Sequence, residues 1–596
     1  MAKAKTTEQE VGLVSKNPSV QKPRLQKLVI KNFRCIENKP VEIDLDDIVV
    51  LVGPNNVGKS SVLKAYEVVM SHGSKQGELS LEDFPNSKIE TDKFPEIELH
   101  TIIYDNTPGE KWIFVTKKGE KLVKERWMWR QPGKPVRQGW DNEKKEWSEN
   151  VPWGAPNVAK TRRPTPHRIN AFDSPETQAE KIKEILMTIL TERIKLLKSE
   201  TSEKPESEYA KLLNMVKDLQ KKIIGESKIK IEEIESELSE SISQIFPDYK
   251  ILFDAKPEED LDKSVLLFKA GTDLLMGPAS GYLSKIEMQG SGARRTLLWT
   301  ALKIIAETTG KLKTDEDISR PHVLLLDEPE ICLHPNAIRD ACNVLYNLPK
   351  SGNWQVLTTT HCPIFIDISR DNTTIIKVDR NISGEIEGTT VFRPDKVQLD
   401  DDDKKRLKFL NICDPYVSEF FFGGNSIIVE GDTEYTAFNF IKTSKPDKYK
   451  NTHIIRARGK ATIISLVKIL NHFGANYSIL HDSDLPKIKI RDKECTNPAW
   501  SINKLILDEV AKKPSSTKVR LLASIPNFEL AYLSEQFKCE KPYNVLLNLK
   551  KDDKIFEAIE QLFDSLIDFT KKPPSNCIEW SDISVLEKVL NKTYEG

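Results

Sequence analysis

Ile48-Val49-Val50-Leu51-Val52-Gly53-Pro54-Asn55-Asn56-Val57-Gly58-Lys59-Ser60-Ser61 is the stretch on which the fold turns. The unbroken apolar run reads as a strand buried on both faces, and the residues after Ser60 continue as SVLKAYEVVM with helical spacing. Strand, glycine-rich turn and helix in that order make a phosphate-binding loop. Gly53 and Gly58 let backbone N–H groups turn inward, and the start of the helix favours an anion. Lys59 reaches phosphate oxygens and the Ser60 hydroxyl holds Mg²⁺; Asn55, Asn56 and Ser61 complete the cofactor-binding stretch. A glycine turn met by chance is the alternative, and it loses weight once a second constellation is counted.

That constellation is Val323-Leu324-Leu325-Leu326-Asp327-Glu328. The apolar run places Asp327 at a strand end, where it shares the Mg²⁺ shell, and Glu328 beside it polarises the attacking water. A glutamate followed by Pro329 resembles ABC-type ATPases, in particular the branch of SMC and RecF-type proteins. On that resemblance His361, in Thr358-Thr359-Thr360-His361-Cys362-Pro363, matches the histidine that senses the γ-phosphate, although a lone histidine is more often structural. Gln289-Gly290-Ser291-Gly292-Ala293-Arg294-Arg295 lies where an ABC signature would fall but departs from LSGGQ. Ser291 and Gly292 there offer N–H groups to the γ-phosphate of an opposing subunit, with Arg294 or Arg295 adding charge. A helix cap with exposed arginines is the plainer alternative.

Working outward, the chain has 596 residues, 38% of them hydrophobic, and 89 Lys+Arg against 90 Asp+Glu. That length suggests about two to four domain-sized units. No run approaches the roughly 18 uninterrupted apolar residues of a membrane span. Residues 1–24 are polar and read as a flexible lead-in, with no apolar core of a secretory signal. The 8 cysteines form no CxxC pair, which fits a reducing cytoplasm and leaves metal binding to carboxylates. A net charge of −1 excludes no nucleic-acid partner, because phosphate contacts depend on local Lys/Arg clusters.

Ile97–Trp153 reads as short antiparallel strands. After Ser174-Pro175, a helix cap and first turn, apolar residues recur from Ile182 to Ile189, Leu212 to Ile223 and Ile231 to Ile245, which predicts three helices with a hairpin at Ser199–Glu208. Asp400–Asp403 followed by Lys404-Lys405-Arg406 marks either a junction or a solvated helix start. The expected division is a tail over 1–24, an ATPase domain over 25–410 carrying a helical insertion at 175–250, and a second α/β domain over 411–596.

In the second domain Ile427-Ile428-Val429 leads into Glu430-Gly431-Asp432-Thr433-Glu434, and Ile479-Leu480-His481 leads into Asp482-Ser483-Asp484. Two strands of one parallel sheet that end in acids bring those acids together at its carboxyl edge. Such a cluster repels itself unless divalent cations lie between its members. A Glu-Gly on one strand and a DxD on another resembles the Toprim fold of topoisomerases, primases and a set of nucleases. Arg458-Gly459-Lys460 lies between them, where Lys460 meets a DNA phosphate or is simply solvated.

GPNNVGKS, LLLDEPE and TTHCP joined to VEGDTE and HDSD resemble the OLD (overcoming lysogenization defect) nucleases, the group that includes the nuclease subunit of the Gabija anti-phage system. The resemblance spans about Leu28 to Lys550 and implies an ABC-type ATPase with an inserted helical dimerisation segment, then a Toprim domain that cuts DNA with two divalent metals, Mg²⁺ or Mn²⁺. Carried over residue by residue, Glu430, Glu434, Asp482 and Asp484 match the metal-binding acids, Glu430 also acting in catalysis. Ser524-Ile525-Pro526-Asn527-Phe528-Glu529 matches a later segment that gives Ser524 and Glu529. Asn527 stands where some relatives have an acid, which weakens the second metal position. A catalytic lysine is implied further on, at Lys550 or Lys551, against the alternative of solvated lysines on a polar helix face.

The function this implies is an ATP-hydrolysing, metal-dependent DNA endonuclease in anti-phage defence or DNA processing. It would work as a homodimer or higher even oligomer, with a helicase-type protein as a further partner by family analogy. The competing expectations are an SMC/RecF-like repair ATPase that binds DNA without cutting, and a primase-like or topoisomerase-like Toprim protein. The last would need a tyrosine-bearing module that the remaining chain does not offer.

Overall fold

The computed structural model describes residues 23–170, 173–183, 275–276, 282–309 and 321–594, less 352–353, 369, 371, 382–383, 394–396, 398, 423, 491–492, 534–536 and 538, together with positions 215 and 218. The three helices expected between Glu176 and Phe246 lie, beyond residue 183 and apart from positions 215 and 218, outside the described residues. The described residues fall into two units, the smaller taken from Ser174–Ile305 and the larger from what lies on either side.

The larger unit is built on two parallel sheets. In the first, β1 (Ile48–Val52), β2 (Thr165–Ile169), β3 (His322–Asp327), β4 (Trp354–Thr359), β5 (Thr373–Arg380) and β6 (Ile386–Phe392) run in the order β6-β5-β1-β4-β3-β2. Only the β5–β6 pairing is antiparallel. Every residue of β1 and β4 is buried, which is why these strands read as continuous apolar or Thr-rich runs with no alternation. The helix that follows β1, α1 (Lys59–Met70), packs its apolar stripe on this sheet.

A seven-stranded antiparallel sheet faces the first; it contains Arg24–Lys31 and, within the Ile97–Trp153 stretch where antiparallel strands are expected from the sequence or at its edge, Glu96–Ile103, Lys121–Met128 and Val136–Asp141. Leu28, Ile30, Trp127, Leu51, Val62, Leu325 and Ile376 share one buried cluster, so the two sheets close over a common core. Gln355 stitches them together: Leu25 N donates to its Oε1 at 2.7 Å and its Nε2 donates to Leu25 O at 3.0 Å.

The second parallel sheet has the order β8-β7-β9-β10-β11 for β7 (Asn425–Val429), β8 (Thr452–Arg456), β9 (Tyr477–Asp482), β10 (Val519–Ser524) and β11 (Cys577–Glu579), with β11 alone antiparallel. Ile427, Phe438, Leu480, Leu522, Phe528 and Phe563 fill its core. Between the sheets runs α2 (Asp401–Cys413), whose N-cap Asp400 forms a capping box with Asp403. The charged stretch is therefore a helix start. It is packed as well as solvated, because buried Asp403 accepts a hydrogen bond from Ser465 Oγ at 2.6 Å. The following turn, Pro415–Phe422, is pinned by Ser418 Oγ donating to Ile366 O at 3.3 Å.

In the smaller unit residues 175–183 are helical and Ser174 Oγ accepts from Thr177 N at 3.2 Å, the cap expected there. A longer helix spans Ser291–Thr309. Among the described residues no helix is long and apolar enough to cross a membrane.

Candidate functional site

At the carboxyl edge of the first sheet, β1 ends in Gly53 at φ 139°, where a Cβ would fall 2.0 Å from Val378 O, so only glycine can stand there. Gly58, at φ 92°, turns the chain into α1, and Lys59 is the first helical residue. Its buried ammonium donates to Gly53 O at 3.0 Å and Pro54 O at 2.7 Å. Burial lowers its pKa while Glu328, Asp327 and Glu330 pull it back up. Asn55 and Asn56 are exposed on the loop, and Ser61 is buried with Cys35 Sγ 3.6 Å from its Oγ.

The structure brings Ser60 and Asp327 together: Ser60 Oγ donates to Asp327 Oδ1 at 3.0 Å, and the same oxygen accepts from Thr359 Oγ1 at 2.6 Å. Thr359 went unnoticed in the sequence, though the Thr358-Thr359-Thr360 run at a strand end was its signal. Glu328 takes a left-handed backbone, φ 47°, and donates its N–H to Thr359 O at 3.2 Å and Thr359 Oγ1 at 3.0 Å, which aims its carboxylate out of the strand. That carboxylate lies 3.5 Å from His361 Nε2. Burial, with Lys59 close by, lowers the His361 pKa and favours neutral imidazole.

Glu330 is a second residue not singled out from sequence. Its Oε1 accepts from His361 N at 2.7 Å, Thr360 Oγ1 at 2.8 Å and Cys362 N at 3.1 Å, so it shapes the turn that carries the histidine. Burial pushes its pKa up against those bonds. The His361 ring in turn stacks on Phe422, with centroids 6.2 Å apart and planes 24° from parallel. In the smaller unit Ser291 is exposed at the first position of its helix and Gly292 follows it. Arg294 and Arg295 correct the sequence expectation, since both are buried. The Arg294 guanidinium donates to Gln178 Oε1 at 3.1 Å, to Glu287 O at 3.4 Å and to Gln289 O, so it braces its own unit.

At the carboxyl edge of the second sheet the same device recurs with acids on both strands. Glu430 follows β7 and its Oε2 accepts from Asp482 N, at the end of β9, at 3.0 Å. Asp482 Oδ1 accepts at 2.8 Å from Phe528 N, the first residue of α5 (Phe528–Leu533). Glu434 is buried in the first turn of α3 (Asp432–Ser444). Buried Glu529 accepts from Thr433 Oγ1 at 3.4 Å and lies 3.0 Å from Lys541 Nζ. Asp484 stands on left-handed backbone, φ 57°, and meets the ammonium of Lys460, the first residue of α4 (Lys460–Phe473). Burial raises the pKa of Glu430, Glu434 and Asp482, and nearby carboxylates add to it, Asp484 and Glu529 at Glu430, Glu430 and Glu529 at Glu434, and Glu434, Glu430 and Asp484 at Asp482, with Lys460 opposing at Glu430.

Ser524 is paired in register with Asp482, fully buried, and its hydroxyl has no hydrogen-bond partner. Among the described residues no three His, Cys, Asp or Glu side chains converge as a ready-made metal cage; Glu430, Asp482, Asp484 and Glu529 are each turned to a partner inside the protein. The donor set nevertheless suits a hard divalent cation: several buried carboxylates that repel one another, and an orphaned hydroxyl beside them. Asn527 caps α5, its Oδ1 accepting from Leu530 N at 3.0 Å, which is work an amide does as well as an acid. His481 is neutral, held near a pKa of about 3 by burial: its Nδ1 donates to Asp482 O at 2.7 Å and its Nε2 accepts from Trp580 Nε1 at 3.2 Å.

The lysines of this domain fall into two sets. Lys550 and Lys551 are exposed at the end of α6 (Lys541–Lys551), Lys550 Nζ lying 5.8 Å from the Phe440 ring centroid. The ammonium groups that touch the acids belong to Lys460 and Lys541. Lys460 is only 4% exposed and its ammonium meets Asp484, so it is not a solvated lysine.

Comparison with known proteins reaches both edges. The AAA ATPase domain family matches residues 24–121 and 169–366, and the family described as overcoming lysogenization defect protein-like, TOPRIM domain, matches residues 421–484. The OLD nuclease of Thermus scotoductus is 23% identical over 550 residues, which cover 89% of this chain and 95% of the relative. The Old nuclease of Escherichia phage P2 is 22% identical over 579 residues, 94% of this chain and 95% of the relative. Among solved structures, an SmcHead bound to the C-winged helix domain of ScpA is 15% identical, covers 63% of this chain and 99% of its own, and has a TM-score of 0.34.

Proposed function

An AAA ATPase domain joined to an OLD-like TOPRIM domain makes this chain an ATPase and a nuclease of the OLD type, and from that premise we propose that it is an ATP-hydrolysing, divalent-metal-dependent DNA endonuclease. One observation carries the reading: the hydrogen bond from Asp482 N to Glu430 Oε2, 3.0 Å, ties two acid-bearing strand ends together where a divalent cation would offset their repulsion.

Glu430, Glu434, Asp482, Asp484 and Glu529 are the residues that would hold Mg²⁺ or Mn²⁺, with the orphaned Ser524 hydroxyl beside them. Bound there, divalent ions supply activation of water and stabilisation of the departing oxygen. The chain itself supplies orientation. Asp482 N holds the Glu430 carboxylate and Phe528 N holds that of Asp482, so neither must be ordered when DNA arrives. Lys550 and Lys551, exposed on α6, are proposed as the phosphate-facing lysines.

In the ATPase half Lys59 and the loop Gly53–Ser60 receive the triphosphate, and Ser60 with Asp327 would hold its Mg²⁺. Glu328, oriented through its own N–H on Thr359, serves as the base, and His361 reads the γ-phosphate. Because His361 also stacks on Phe422, in the turn that leads into the TOPRIM sheet, this contact is proposed to pass the nucleotide state to the nuclease half. The exposed helix start at Ser291-Gly292 supports a second copy bringing its phosphate there, hence a homodimer or higher even oligomer. On this reading the protein acts on DNA in anti-phage defence or DNA processing, in the cytoplasm, with a helicase-type protein as a further partner.

The test uses Glu430→Ala and Asp482→Ala. With supercoiled plasmid and Mg²⁺ or Mn²⁺, nicking should drop by about 10²-fold or more while ATP turnover stays near wild type. If both variants cut like wild type, the acid cluster is structural and the assignment of cleavage to this sheet edge fails.

A further inference from the structure

We propose that Lys460 is a resident cation of the TOPRIM site, a positioning residue that occupies Asp484 until a divalent ion displaces it and so sets how tightly the site takes metal. This rests on the metal-dependent reading above and adds the residue that tunes it.

The position of Lys460 is unfavourable for a lysine twice over. It is the first residue of α4, where the unpaired N–H groups of the helix repel a cation. It is also 4% exposed, and an ammonium removed from water needs an anion. The backbone is bent to put it there: Arg458 takes φ 55° and Gly459 φ 127°, and Gly459 N donates to Glu430 O at 2.9 Å, which fastens this turn to the acid on the neighbouring strand. Its partner is held in an equally uncommon way, Asp484 standing at φ 57° with its N–H on Pro526 O at 2.9 Å. Positive φ at Arg458, two residues before Lys460, and at Asp484 itself is retained only where the surroundings over-determine it, and such places gather at functional sites.

Among the described residues the only other acceptor of the Lys460 ammonium is Ala499 O at 3.5 Å, too long to hold it. The charge is therefore committed to Asp484, one of the acids that would ligate metal. A lysine meant for a phosphate is held differently. Lys59, nearly as buried, donates among the described residues to the neutral carbonyls of Gly53 and Pro54 and keeps its charge unspent for an incoming anion. Lys460 has already spent its charge on the site, so a metal that takes Asp484 must first break this pair, and metal affinity is lower by the strength of the pair.

The experiment is a Mn²⁺ titration of the full chain by calorimetry, without DNA or nucleotide, and the heat abolished in Glu430→Ala defines the TOPRIM signal. Lys460→Met should bind Mn²⁺ tighter than wild type by about tenfold or more, the weight of one charged hydrogen bond. Its melting temperature should fall without metal and recover with it. Lys460→Gln, which keeps a donor for Asp484 and loses the charge, should move the same way and protects the test against a misfolded Met variant. Lys460→Arg should stay near wild type. Unchanged or weaker Mn²⁺ binding in folded Lys460→Gln or Lys460→Met overturns the proposal. Wild type with no Mn²⁺ heat that Glu430→Ala removes would overturn the metal-dependent reading itself, and with it this one.

Discussion

Two lysines in this chain occupy the same place in the same motif and do different things. Lys59 and Lys460 each follow a glycine with positive φ, each opens a helix after a parallel strand, and they are 6% and 4% exposed. Lys59 is held by the carbonyl oxygens of its own loop, and the carboxylates near it, Asp327 and Glu328, are occupied by hydroxyl and histidine neighbours. Lys460 is held by a carboxylate of the acid cluster itself. The lesson is that a Gly-Lys step at a helix start specifies only a buried ammonium at a sheet edge. What that ammonium waits for depends on the charge already facing it; on the readings proposed above, it is an anion in the first site and a cation in the second.

The comparison breaks most sharply at Lys59. Lys59→Ala should cut ATP turnover by about 10²-fold or more, through loss of binding, while Glu328→Gln should retain ATP and lose turnover to a comparable extent. Phosphate release and filter binding separate the two outcomes, and equal hydrolysis by wild type and Glu328→Gln would sink the role given to Glu328.

A middle-sized effect is expected where the two sites are joined. An aromatic contact contributes about 0.5–1.5 kcal/mol, so Phe422→Ala, by releasing the His361 ring, should change ATP turnover by roughly 2- to 10-fold. Under the coupling proposed here, plasmid nicking in the presence of ATP should shift along with turnover. A change in turnover that leaves nucleotide-dependent nicking untouched would disconnect the halves.

The smallest effect separates the halves by pH. His72, beside the buried ions of the ATPase half, has its pKa lowered from 6.5 to about 4 by burial and by Arg137 and Arg163. The unfolded chain takes up that proton first, so the stability from neutral His72 is full above 6.5 and is lost as pH falls from there toward about 4. The melting temperature should drop on the order of a few degrees between pH 7 and pH 4.5, and His72→Gln should reduce that drop. An unaltered pH profile in His72→Gln would remove the histidine from the account.

Motifs carried by a strand end were legible because they are local. GPNNVGKS, LLLDEPE, VEGDTE and HDSD each place a polar group at the close of an apolar run, and a buried parallel strand delivers that group to the sheet's carboxyl edge. Glu430 and Asp482 could thus be paired before their hydrogen bond was seen. Thr359 had such a signal in its threonine run at a strand end, which went unread, whereas Glu330, Phe422 and Lys541 had none: Lys541 reaches Glu529 by helix packing, and Phe422 meets His361 only because the chain doubles back. Arg294 shows the opposite error, since spacing alone did not say that its side chain turns inward to Gln178.

Apolar runs ending in glycines and acids were therefore enough to name an ATPase and a TOPRIM domain in one chain, because backbone hydrogen bonding and burial leave such runs few other folds. Which lysine touches which acid lay beyond them. An ammonium finds its partner over several ångströms of side chain, and the partners of Lys460 and Lys541 lie on elements remote in sequence. Only the tertiary structure brings those charges within reach, and at Lys460, 4% exposed, it also keeps water from screening them.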